Sequence, residues 1–239
     1  WEPKNYDGKF DGPMPLHAGL ARSKNMVSIR VLQAVGTHSA QDWVTRFGFE
    51  PEKHPAYLTM ALGAGSVTPM QMGTGYAVFA NGGYRANPWL ISGITAQRGK
   101  VLVETQPPLR TEAMRAIDAR NAFIMNRLLQ EITRSGTAAR VWQAFKRPDL
   151  YGKTGTTNDS IDTWFNGFHP NVVAVVWMGY DNPRPLGDRE TGGSMSLPVW
   201  INYMETALKD MPLVVPTAPS GVVNVGGEWE YGEYAPAGG

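Results

Sequence analysis

The chain has 239 residues, enough for one sizeable domain with a buried core. Its 22 basic and 21 acidic residues are interspersed and leave a formal net charge of +1, so no basic stripe marks a nucleic-acid partner. There is no cysteine, and His17, His38, His54 and His169 are scattered without ligand spacing, so no disulfide framework, metal or other cofactor is expected. No apolar run approaches the roughly 18–20 residues needed to span a bilayer. Trp1 does not begin a signal peptide.

Residues 15–22 and 26–35 have helix-like apolar spacing, so Ser23-Lys24-Asn25 falls at a junction between helices. Junction residues point into clefts, but serine and asparagine also favour caps and turns, so this triplet alone says little. Ser39 with Asp42 predicts the cap of a helix that runs to Phe47 and ends at Gly48. Thr68, Pro69 and Gln71 predict a capping-box start, and Asn81-Gly82-Gly83 a stop. Residues 90–95 and 101–104, joined by Gln97-Arg98-Gly99-Lys100, read as a hairpin. Residues 111–134 read as one long amphipathic helix burying Ile117, Phe123, Ile124, Leu128 and Ile132, with Gly136 as its exit.

Three strand candidates follow, 150–157, 162–168 and 172–178, whose short connections predict consecutive antiparallel pairing. The run 172–177 is apolar without alternation, which predicts helices on both faces of the sheet. Residues 197–208 read as a closing helix. From Met211 onward prolines and glycine pairs interrupt any regular element, so 211–239 is expected to be an extended, partly disordered tail. Trp43, Trp142, Trp177 and Trp200 are expected in the core, while Trp164, Phe165 and Phe168 suit either the core or a cleft wall. Asp159 and Asp162 are expected to form the turn after Asn158.

The segment Tyr151-Gly152-Lys153-Thr154-Gly155-Thr156-Thr157-Asn158 carries the chemistry. On an extended strand Lys153, Gly155 and Thr157 share one side, and Thr154 and Thr156 the other. One strand margin then offers a cation and hydroxyls to an anion, and Gly155 lets a ligand backbone lie close. A phosphate-binding loop is excluded because Arg147 stands where that motif needs glycine. A threonine-rich strand with a solvated lysine remains the plain alternative.

Ser-x-Asn followed by Lys-Thr-Gly resembles the signatures of penicillin-interacting serine acyltransferases, which also carry Ser-x-x-Lys. The opening stretch 1–13, the stretch from Ala61 to Gln71 with Gly75 to Gly83, and the strands Asp162 to Phe168 and Val175 to Asp181 resemble transpeptidase domains of class A penicillin-binding proteins. The resemblance covers most of 1–210, which is taken as the later portion of such a domain. It implies an α+β, β-lactamase/transpeptidase-like fold: an antiparallel sheet flanked by helices on both faces plus a helical subdomain, with the first part of the fold outside this chain.

The same resemblance implies an activity. A D,D-transpeptidase cross-links peptidoglycan stem peptides ending in D-Ala-D-Ala through an acyl-serine intermediate, and β-lactams imitate that end. Lys153, Thr154 and Thr156 would hold the terminal carboxylate, with Gly155 and Thr157 along the same margin. The Thr156 N–H would face the oxyanion. Ser23 would relay a proton, and Asn25 would bond the substrate amide and Lys153. No serine here is followed by lysine three residues later, so the nucleophile is expected in a segment preceding Trp1. Class A synthases are held by a membrane helix with their domains on the periplasmic side of the cytoplasmic membrane, so contact with the membrane is expected only through a region outside this chain. Two rivals stand beside this reading: a non-catalytic module that binds peptidoglycan peptides or β-lactams without a nucleophile, and a class A-like β-lactamase.

Overall fold

The computed structural model describes residues 1–236. A central antiparallel sheet, in the order β3-β4-β5, is built from Tyr151–Thr156, Thr163–His169 and Val172–Met178. Its register pairs Lys153 with Asn166, Gly155 with Trp164 and Phe165 with Val176. The α+β expectation therefore holds, as does the consecutive pairing.

Alternation along β4 decides what covers each face. Phe165 points to one side, where it meets Trp200 of α7 (Leu197–Ala207) edge to face at 5.0 Å. Phe168 points to the other, stacking on Tyr151 at 4.9 Å and meeting Tyr76 of α4 (Pro69–Ala80). Phe165, Phe168 and Trp200 are fully buried, so the core lies on both faces of the sheet. The three aromatics that suited either the core or a cleft wall thus divide: Phe165 and Phe168 are core, while Trp164 is only partly buried. Trp200 is the one expected core tryptophan that is fully enclosed. Trp43 and Trp177 are 45% and 39% exposed, Trp43 beneath the guanidinium of Arg46 and Trp177 with its indole N–H donating to Asp162.

The helical part begins with α1 (Leu16–Ala21), α2 (Asn25–Val35) and α3 (Thr37–Val44). Gly36, not Ser39, stands at the N-cap of α3, so the helix starts earlier than expected; it then tightens into a 3-10 turn that Gly48 ends at φ 94°. The capping box of α4 forms as its residues predict: Thr68 Oγ1 accepts from the Gln71 N–H at 3.1 Å, and Gln71 accepts from the Thr68 N–H at 2.9 Å. The hairpin of β1 (Gly93–Thr95) and β2 (Val101–Glu104) is present but exposed on both faces.

Two further expectations are corrected. The stretch 111–134 is not one helix: a short 3-10 turn is followed by extended backbone, and α5 (Ala119–Arg134) starts at Asp118, whose side chain caps it. Ile117 is buried but lies before that helix, and the buried face of α5 is Ala122, Phe123, Leu129, Ile132 and Thr133, with Ile124 and Leu128 only half-buried. Residues 211–236 are not a loose tail. Gly226 and Gly227, at φ 60° and 97°, form the turn of a hairpin between β6 (Val222–Val225) and β7 (Glu228–Tyr231). Trp229 of β7 packs on Phe123 of α5 at 5.0 Å, and Glu233 pairs with Arg120 at 2.9 Å. The last residues of the expected tail, 237–239, lie outside the described residues.

Candidate functional site

Ser23 sits in the bend between α1 and α2, held at φ 53°, a left-handed conformation that costs a non-glycine residue about 1 kcal/mol or more. The bend is fixed from several sides. Lys24, 9% exposed, forms ion pairs with Asp7 at 2.9 Å and Asp11 at 2.6 Å. Asn5 accepts the Met26 N–H at 3.1 Å, capping α2 from outside, because Lys24 at its N-cap supplies no side-chain cap. The opening segment 1–13 therefore clamps the bend from one side. On the other, the Thr137 N–H donates to the Ala21 carbonyl at 3.0 Å, and Thr137 Oγ1 shares a hydrogen bond with Thr154 Oγ1 at 2.8 Å.

These ties bring the bend against β3. Lys153 Nζ donates to Ser23 Oγ at 2.7 Å and to the Thr154 carbonyl at 2.8 Å, which leaves one of its three N–H donors uncommitted. Burial lowers the Lys153 pKa to about 8, and no carboxylate among the described residues pairs with it. Its cross-strand neighbour Asn166 is buried with Oδ1 lacking a partner, and the buried Tyr76 hydroxyl is pushed by burial up to about 12.

The backbone of β3 has a free margin. The Thr157 N–H donates to the Asp162 carbonyl in the turn toward β4, so by the alternation of an antiparallel ladder the N–H and C=O groups of Thr154 and Thr156 point away from β4. Thr156 is exposed there, and its Oγ1 accepts the Gly192 N–H at 3.1 Å, which leaves its own hydrogen free to donate. Lys153, Ser23, Thr154 and Thr156 thus form one polar edge with hydroxyl and ammonium donors and no acid among them. Such an edge is fitted to an anion.

Three expected residues stand differently. Asn25 is the first residue of α2, and its amide donates to the Lys4 carbonyl at 2.8 Å; it makes no hydrogen bond to Lys153 among the described residues. Thr157 Oγ1 accepts the Asp162 N–H at 2.7 Å, so its hydroxyl closes the β3 to β4 turn. Gly155 has a structural reason beside the functional one, since a Cβ there would come within 3.2 Å of Trp164 Cβ. Sequence reasoning missed Thr137, Gly192 and Lys24. Gly192-Gly193 carried a signal, because glycine marks close backbone approach, and a Cβ on Gly192 would run into the carbonyl oxygens of Trp164 and Gly155.

Residues 1–205 match the transpeptidase family described as penicillin binding protein transpeptidase domain. Penicillin-binding protein 1A of Neisseria flavescens is 48% identical over 229 residues, which is 95% of this chain and 29% of that protein. Penicillin-binding protein 1A of Pseudomonas aeruginosa is 40% identical, covering 94% of this chain and 33% of that protein. The chain therefore spans about a third or less of the length of these relatives. The crystal structure of penicillin-binding protein 1A from Haemophilus influenzae superposes with a TM-score of 0.90 at 34% identity, covering 97% of this chain and 41% of that one. PonA1 from Mycobacterium tuberculosis, at 20% identity and a TM-score of 0.76, shares the fold. By the extent of the family match, by these relatives and by an edge that joins Ser23 to Lys153, the chain belongs to the penicillin-binding protein transpeptidase family, as part of a class A transpeptidase domain of the 1A type.

Proposed function

We propose that this chain supplies the carboxylate-binding wall and the proton-relay bend of a D,D-transpeptidase that cross-links peptidoglycan stem peptides, with the nucleophilic serine carried by another part of a longer protein. The observation that carries the reading is the 2.7 Å bond between Lys153 Nζ and Ser23 Oγ, which joins the two motifs across the fold. The terminal carboxylate of a D-Ala-D-Ala end docks on Lys153 and on the hydroxyls of Thr154 and Thr156. Its negative charge favours the protonated ammonium, offsetting the burial that lowers the Lys153 pKa.

The serine attacks the penultimate D-Ala carbonyl, forming a tetrahedral oxyanion near the free N–H of Thr156; a donor of this kind contributes about 3 kcal/mol elsewhere. The nucleophile's proton goes to the lysine base expected beside it in that other part of the protein; as the C–N bond breaks, Ser23 passes a proton to the departing D-Ala amine and recovers one from that base, while Lys153 stays protonated and holds the Ser23 hydroxyl. The acyl group then goes to an amine of a second strand, whose proton returns along the same relay to the serine oxygen as the ester C–O bond breaks, a two-step covalent route. β-Lactams occupy the same edge through their own carboxylate. By the same reading the domain works on the periplasmic side of the cytoplasmic membrane; among the described residues no helix is long and apolar enough to cross a membrane, so attachment belongs to other parts of the protein.

Lys153→Ala, introduced into a protein that includes the preceding segment, is expected to slow acylation by labelled penicillin about 100-fold, equivalent to roughly 3 kcal/mol of lost charge-assisted bonding, with an unchanged circular dichroism spectrum. Near-normal acylation by a folded variant removes the carboxylate-anchor role.

A further inference from the structure

A second cationic site shares no residue with the Ser23–Lys153 edge. Arg46 from the turn after α3, Arg85 after α4 and Arg115 before α5 converge on a depression of about 430 Å³, with Asn87 at its lining. Local pairing puts them together. The Arg85 N–H donates to the Met114 carbonyl at 2.8 Å and Tyr84 bridges Arg115, so two short segments run antiparallel and bring the two arginines to the same stretch of backbone. Behind it the Arg85 guanidinium packs on Gly48, where a Cβ would come within 3.0 Å of Arg85 Cζ.

The charges in this depression are unequal in their partners. Arg115 is neutralised by Glu112 at 2.7 Å. Arg46 lies over the Trp43 ring at 4.1 Å and reaches the Ala116 carbonyl only at 3.5 Å. Neither Arg46 nor Arg85 has a carboxylate in ion-pair range among the described residues, and Arg85 Nε is buried with no acceptor at all. With a formal net charge of +1 for the whole chain, two unpaired guanidiniums in one hollow are a local feature and not a reflection of overall basicity. A buried N–H without an acceptor is destabilising, and a neighbouring like charge adds to that.

We propose that this depression binds a phosphate-class dianion, a phosphate ester or diphosphate group, through Arg46 and Arg85. Two free positive charges match a dianion, and a tetrahedral group offers separate oxygens to two planar forks, where a single carboxylate satisfies only one. The volume lies in the range of small-ligand sites, larger than one ion requires. Glu112 keeps Arg115 at the rim as a flanking charge rather than a third free cation.

Calorimetric titration of the 239-residue chain with inorganic phosphate and with diphosphate, at constant ionic strength and with acetate as the monoanion control, tests this. Saturable phosphate or diphosphate binding is expected about tenfold or more tighter than acetate, weakened about tenfold by Arg85→Gln and by Arg46→Gln. If a variant fails to fold, phenylglyoxal modification of the unmutated chain gives the same answer, since diphosphate should protect Arg46 and Arg85 but not Arg22. Equal binding of acetate and phosphate, undiminished binding by folded variants, or unchanged modification of Arg46 and Arg85 overturns the proposal. None of these outcomes bears on the Lys153 edge.

Discussion

Lys153 is the residue on which the site turns, and its environment sets a pH dependence that no surface lysine has. Burial holds its pKa at about 8, below the ordinary 10.5, so between those values the folded chain binds fewer protons than the unfolded one. Stability therefore rises as pH increases through that window, and the penalty of keeping the ammonium buried is fully present below pH 8. Lys153→Met keeps the bulk and removes the charge. The variant is expected to gain up to about 3 kcal/mol near pH 7, less whatever the two hydrogen bonds contribute, and to lose the rise between pH 8 and 10.5. Urea titrations at several pH values measure both, and a wild-type profile that is flat across this window contradicts the buried-ammonium account. The strand alternation made Lys153, Thr154 and Thr156 legible from sequence, because a period of two is a property of the backbone. The engagements of Asn25 and Thr157 were not, since both depend on which carbonyl or N–H the fold brings near.

At the scale of elements, the free margin of β3 depends on what is laid across the sheet beside it. Gly192 lies flush on the Gly155 and Trp164 peptides, and its N–H orients the Thr156 hydroxyl. A methyl group there meets carbonyl oxygens rather than flexible side chains, so nothing nearby yields cheaply. Gly192→Ala is expected to destabilise the chain by about 2–4 kcal/mol in urea unfolding, whereas a change under about 0.5 kcal/mol would show that the turn slides away freely. Elements whose signals are local were legible: the Thr68–Gln71 capping box formed as written, and the hairpin glycines Gly226 and Gly227 carried a readable turn signal that the surrounding prolines obscured. The break before α5 was not, because Ile117 continues the apolar spacing while Asp118 caps a helix that starts after it.

Over the whole molecule, residues beyond Met211 are fastened to the sheet by one buried carboxylate. Asp149, fully buried, accepts from Arg147 at 2.9 Å, from buried His169 at 3.1 Å and from the Val214 N–H at 2.9 Å, while Arg147 also donates to the carbonyls of Met211 and Pro212. Burial pushes the Asp149 carboxyl up, but the Arg147 guanidinium and the Val214 N–H outweigh it and hold the pKa below the ordinary 3.8. Its contribution is present above that value and fades as pH falls through the lowered folded pKa. Asp149→Asn leaves Arg147 short of its partner, and a loss of about 3–5 kcal/mol at neutral pH is expected, with a flatter acid limb than wild type. An acid limb identical to wild type would assign the fastening to other contacts. A latch of this kind joins residues far apart in sequence, which is why composition alone suggested a loose tail.

The division of labour proposed for the site is tested most directly by mapping the covalent adduct of labelled penicillin. The 239-residue chain alone is expected to form none, while a protein that includes the preceding segment forms one adduct on a serine outside this sequence. A stable adduct on Ser23, or on any serine of the isolated chain, contradicts it.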